Sequence, residues 1–189
     1  MPSTITQLAQ ATSRLQQIVT IEFSALDLPL LNHKPGPDSW SILECLEHLN
    51  RYSRYYNPAL AKAIHRSPVT TDQQPIRYSW LGKKSLDVVR PGNGKKSKTI
   101  KHMNPHNSQL GPGAIQEFLR HQSELLQLLD RAHSVDLNRR AIPIEFFRLL
   151  KLRIGEALEF VVLHQERHVQ QALRVKQQLQ EQASGSIIG

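Results

Sequence analysis

Trp40-Ser41-Ile42-Leu43-Glu44-Cys45-Leu46-Glu47-His48-Leu49 is the stretch from which the fold is read. Ser41 with Glu44 three residues later is a capping box, so a helix opens here. Behind the cap, Cys45, His48, Leu49 and Tyr52 fall on one apolar stripe of helical period. The pattern runs to about Arg66, ahead of Ser67-Pro68. Pro58 lies inside it and either kinks the helix or ends it early. A second stretch, Leu163-His164-Gln165-Glu166-Arg167-His168-Val169-Gln170-Gln171, belongs to a last helix that begins between about Ile144 and Ile154 and reaches about Gln182. Its core stripe is Ala157, Val161, His164, His168, Ala172 and Val175, so two histidines sit on an apolar face.

Working outward, residues 4 to about 26 predict a first helix with Leu8, Leu15, Ile18 and Ile21 roughly on one stripe and Ser3 or Thr4 as cap. Pro29 and Lys34-Pro35-Gly36-Pro37 then break the chain. Gly113 to about Ala132 is a further helix, with Ile115, Phe118, Leu119, Leu125, Leu126 and Leu129 as its apolar set. Between them, residues 67 to about 112 are rich in Pro, Gly, Lys, Asn and Ser, with a short helix expected over Trp80 to Val89. No β-alternation of useful length and no repeat of fixed period is present, and Pro143 ends the connection before the last helix. Four long helices with one long connection predict an all-α, four-helix bundle whose crossover joins helices 2 and 3. The two short connections favour antiparallel neighbours. A single domain spans residues 1–182, with 67–112 as its basic crossover segment and 183–189 as a flexible tail.

At 189 residues the chain can bury a core without staples. Its one cysteine, Cys45, allows no intrachain disulfide, excludes a Cys-rich zinc ribbon and fits a reducing compartment. No apolar run approaches the roughly 20 residues that span a bilayer. Residues 1–10 carry no basic-then-apolar signal, so a cytoplasmic protein without membrane partners is expected. Of the formal charge of +8, residues 77–101 contribute +7, from Arg77, Lys83, Lys84, Arg90, Lys95, Lys96, Lys98 and Lys101 against Asp87. Charge runs are usually solvated. This one lacks interleaved aromatics after Trp80, which stacking on single strands would want, so nucleic acid is disfavoured as a partner.

The chemistry lies in the histidines. His164 and His168 are spaced i, i+4, which puts them about 40° apart on one helix face. His48 lies on the apolar stripe of another helix, and a bundle that joins the two helices can converge all three. Three neutral imidazoles suit Zn²⁺, Ni²⁺ or Fe²⁺ and leave at least one coordination position for water or substrate. Read singly, His48 is a hydrogen-bonded core histidine, and His-x3-His pairs arise by chance or as exposed polar residues; their joint placement on core faces is what favours a metal.

These blocks resemble a known family. Residues 40–49 resemble the W-S-x-x-E-x-x-x-H-L start of the second helix in DinB-like (YfiT-like) proteins. Residues 163–171 resemble their last-helix H-x-x-R-H-x-x-Q signature. Pro35 to Pro37 match the turn before the tryptophan, and Pro91 to Pro105, with Lys98-Thr99, look like a basic segment of one branch. The resemblance covers roughly residues 5 to 178. It implies a four-helix bundle with one divalent metal on His48, His164 and His168, and a homodimer. It also implies a metal-dependent enzyme acting on a small-molecule substrate, either an S-transferase using a low-molecular-weight thiol or a metal-assisted hydrolase. A non-catalytic small-ligand-binding or stress-response module is the alternative, since family membership supports the metal better than any chemistry.

Around the triad, Glu44 is read as the capping residue, with a role beside the metal as the alternative, and Cys45 as a small buried hydrophobe. Arg167 lies off the histidine stripe and is expected in a surface or interhelical salt bridge, with binding of an anionic substrate or thiol cofactor as the alternative, and Gln171 is expected to line the pocket or orient a ligand. Trp40 is expected to pack the bundle end, and Tyr52, Tyr55 and Tyr56 to pack the core, with lining a cleft as the alternative. His102 and His106 are expected in solvent rather than at a second site.

Overall fold

The computed structural model describes residues 3–71, 75–92, 99–145 and 147–185. Thr4 caps α1 (Ile5–Phe23) in a capping box with Gln7. Pro29, expected only as a break, sits in the first turn of a five-residue helix, α2 (Leu28–Asn32), where its missing N–H costs nothing. Ser41 and Glu44 form the expected box at the start of α3 (Ile42–His65). Pro58 neither ends nor shortens α3. It faces solvent, as does Arg54, whose carbonyl loses its helical donor to the proline and can turn to water. Ser79 caps α4 (Trp80–Val89), a single 3₁₀ turn covers Lys101–Met103, and α5 spans Gly113–Ala132. The last helix, α6, runs over Ile154–Gly185, so the expected tail is helical to Gly185, and residues 186–189 lie outside the described ones.

One expectation is overturned. The segment before α6 is an antiparallel hairpin of β1 (Arg140–Ile144) and β2 (Phe147–Arg153), with Pro143 opposite Lys151. Proline is tolerated in a two-stranded ribbon because one side of each strand is an edge.

The four long helices pack in a ring: α1 lies on α5 and α6, and α3 lies on the same two. Two apolar clusters fill the interior. One joins Leu8, Tyr56, Leu60, Leu125, Leu129 and Leu158. The other joins Leu15, Phe23, Leu46, Leu49, Phe118 and Val169. Each helix crosses from one cluster to the other, and their order along the sequence gives its direction. α1 and α6 run one way, α3 and α5 the opposite way. Helices joined by the short connections are therefore antiparallel, but they sit across the ring rather than side by side. Neighbours α3 and α5 are parallel, and a parallel pair needs a long return, which residues 66–112 provide.

Between the clusters lies a buried polar layer. Thr12 comes from α1, Asn50 and Ser53 from α3, His121 and Gln122 from α5, and Gln165 from α6. His48, His164 and His168 belong to the same level and are buried too.

Candidate metal centre

Burying three imidazoles side by side is costly unless something compensates, and the geometry shows what could. One ring nitrogen from each of His48, His164 and His168 lies within 4.8 Å of the others. His48 Nε2 and His164 Nε2 are 3.1 Å apart. Nitrogens bound at about 2.0–2.1 Å to one ion stand roughly 2.8–3.4 Å apart, from octahedral to tetrahedral geometry, so this separation fits. The rings are held in place. His48 Nδ1 donates to the Met103 carbonyl at 2.7 Å, and His168 Nδ1 donates to Gln171 Oε1 at 2.9 Å. With the proton on Nδ1, each neutral ring presents its Nε2 lone pair to the cluster. Trp40 packs on His48 and His168, with centroids 4.8 and 5.5 Å away, and Tyr52 and Phe160 pack on His164.

Burial also removes the competing proton. It lowers the His48 pKa to about 4 and that of His168 to about 3, and pushes His164 well below the ordinary value, helped by its two histidine neighbours. All three are neutral near pH 7 and can act as ligands. Donor type, spacing and protonation thus fit a divalent cation, and among the described residues no other group of three histidine, cysteine or acidic side chains meets the same spacing.

The other singled-out residues fall as follows. Glu44 accepts from the Ser41 and Asn107 backbone N–H groups, at 2.9 and 2.6 Å, and pairs with Lys34, which accounts for its carboxylate away from the imidazoles. Cys45 is fully buried in the apolar cluster of Leu46 and Phe118, and desolvation raises its thiol pKa far above the ordinary range. Trp40 flanks the triad rather than only closing the bundle end. Tyr55 donates to the Pro143 carbonyl at 3.3 Å, and burial raises the Tyr52 phenol to about 12. Arg167 donates from Nη1 to the Val88 carbonyl at 3.0 Å and to the Arg90 carbonyl at 3.5 Å, which ties α6 to the end of α4. His102 is exposed and pairs with Glu145; His106 is half-buried, 3.2 Å from Lys34 Nζ. Lys95, Lys96 and Lys98, the centre of the basic run, lie outside the described residues.

Two spaces meet at His168. One, of about 560 Å³, is walled by α3, α4, α6 and the hairpin and reaches His48, His164 and His168. The other, of about 720 Å³, is a cleft of mixed lining, with Arg167, Arg174, Gln171 and Gln178 beside Asp38, Trp40 and Val175. Thr99, Arg167 and His168 line both. Several of these contributors carry no sequence signal. Ile144, Leu150 and Leu152 reach the first space from the unforeseen hairpin. The Met103 carbonyl that orients His48 is backbone. Glu156, wholly buried, accepts from the Ser79 and Arg153 N–H groups and so latches α4, one cavity wall, to the start of α6.

The DinB superfamily model matches residues 7–172. "Uncharacterized protein YuaE" of Bacillus subtilis (strain 168) is similar, at 23% identity over 159 residues, covering 84% of this chain and 91% of that one. No solved structure matches.

Proposed function

The chain belongs to the DinB superfamily, and from that premise we propose a metal-dependent enzyme built on a four-helix bundle, with residues 66–112 as its crossover. His48, His164 and His168 would hold one divalent ion, zinc, nickel or iron. The observation that carries this reading is the convergence of three buried, neutral, oriented imidazoles from α3 and α6. Bound there, the ion would supply Lewis acidity and make a nearby thiol or water easier to deprotonate.

The chain's own residues supply the rest. Met103 and Gln171 fix two ring orientations. Trp40, Tyr52 and Phe160 exclude water around the imidazoles. Of the two reactions, S-transfer from a low-molecular-weight thiol is favoured over hydrolysis by two spaces meeting at His168, one of mixed polar and apolar lining with Arg174, Gln171 and Gln178, the other mostly apolar with Lys84 at its edge. A two-substrate reaction needs both. A binding module without turnover would need only one.

Elemental mass spectrometry of the untagged protein, beside a His164→Ala, His168→Ala double variant, tests the reading. About one zinc, nickel or iron per chain, lost in the variant, is the expected result. No metal in either, even after reconstitution, overturns it.

A further inference from the structure

The space of about 560 Å³ beside the triad is the size of a small-molecule site, and its composition is selective. Leu81, Val88, Ile144, Leu152, Tyr56 and Phe160 give it apolar walls on several sides. Its charged lining residues are cations only. Arg167 stands at the triad end beside His168, and Lys84 stands near the exposed Trp80, its Nζ 5.5 Å from the indole centroid. No aspartate or glutamate is among the described lining residues. Glu145 is not among those lining residues, and one of its carboxylate oxygens pairs with His102. A neutral apolar guest would have no use for two cations, and a cationic guest would be repelled by both. A polar anion without an apolar body would leave the walls wet.

We propose that this chamber binds a small amphiphilic anion, an alkyl or aryl body with a carboxylate head directed at Arg167 and the triad. The alkyl body lies between α3, α4 and the hairpin. Arg167 is held for the head by its bond to the Val88 carbonyl, so the guanidinium does not have to be ordered on binding. The proposal rests on the triad reading only for which end of the guest would react; the chamber's preference for body and head stands on its lining residues.

Titration calorimetry of the full chain with straight-chain carboxylates from butanoate to dodecanoate, at about neutral pH, tests this. Affinity is expected to rise about fourfold per methylene and then level off as the chamber fills. Octanoate should bind at least about tenfold tighter than octylamine, opposite charges on one chain being discriminated by the two cations. Arg167→Gln with Lys84→Gln should abolish that preference while leaving 1-octanol binding unchanged. Ser85→Trp, which fills the chamber from the half-buried face of α4, should remove the chain-length dependence with circular dichroism unaltered. A flat chain-length series, or octylamine binding as tightly as octanoate, overturns the proposal. Repeating the series on the double histidine variant separates the two readings. If the metal reading fails, no ion is found but the carboxylate ladder persists; if this one fails, the ladder is flat whatever the ion content.

Discussion

Gly82→Ala reverses the sign that helix propensity assigns to it. Gly82 is the third residue of α4, and in a helix interior glycine to alanine stabilises by up to about 1 kcal/mol, less in a first turn. Here a Cβ on Gly82 would land on the Glu156 carboxylate. That carboxylate cannot swing aside freely. It accepts from Arg153 N–H at 2.8 Å and from Ser79 N–H, and it is wholly buried. A hydrogen bond to a charged acceptor is worth about 1.5–3 kcal/mol, and losing it leaves a shielded N–H unpaired. Displacing one oxygen, less the propensity gain, leaves a net loss of about 1–2 kcal/mol; displacing both bonds brings it to about 4 kcal/mol. For a chain of this size that is a fall in Tm of roughly 2–4 °C per kcal/mol. Differential scanning calorimetry of wild type, Gly82→Ala, Glu156→Ala and the double variant reads the coupling. The alanine at 82 should destabilise only when Glu156 is present, and become neutral or stabilising once the carboxylate is gone. A rise in Tm for Gly82→Ala alone would show that α4 is not latched this way.

Removing the Gln171 acceptor with Gln171→Leu frees the His168 ring and should weaken metal affinity about 10–100-fold, read by competition with a chelator, without emptying the site. In the metal-free protein the three imidazoles stay neutral when folded and protonate when unfolded below the ordinary histidine value of 6.5, so the unfolded chain binds more protons and stability falls as pH drops from 6.5 towards about 4. The slope reaches about 4 kcal/mol per pH unit for three groups, and denaturant melts that do not change over this window would show the imidazoles to be charged or solvated. Gln122 and Gln165 are buried with both amide atoms lacking a partner, so Gln122→Leu and Gln165→Met should each raise stability by about 1 kcal/mol; a fall would reveal ordered water satisfying them. Cys45, buried with its thiol pKa raised by desolvation, should resist iodoacetamide in the native protein and react on unfolding, which mass spectrometry reads directly.

What was legible follows from which interactions are local. Capping by Ser41 and Glu44 and the apolar periods of α1, α3, α5 and α6 act within one or two turns, so their signals lie in adjacent residues. His164 and His168 share a face for the same reason. The hairpin has no such signal. Phe147–Arg153 is exposed at all but its last two positions, so it lacks the apolar alternation of a half-buried strand, and Pro143 reads as a breaker although an edge strand accepts it. Its residues Ile144, Leu150 and Leu152 nonetheless build one side of the chamber. Pairings across many residues were equally invisible: Glu156 with Ser79, His48 with the Met103 carbonyl, and Arg167 with the Val88 carbonyl.

Those long-range bonds share a pattern that separates two tasks. The crossover segment holds the site with backbone atoms: Met103 orients a histidine, Val88 anchors Arg167, and Ser79 takes the Glu156 latch. Backbone acceptors and donors keep their chemistry when side chains change. The faces turned to the chamber, by contrast, are side chains such as Leu81, Lys84, Ser85 and Val88. Substitution on that face can therefore alter which guest fits while the triad stays oriented, as the Ser85→Trp and Gln171→Leu variants should show by changing different quantities. The first should change ligand affinity at constant metal content, and the second metal affinity at constant chain-length dependence.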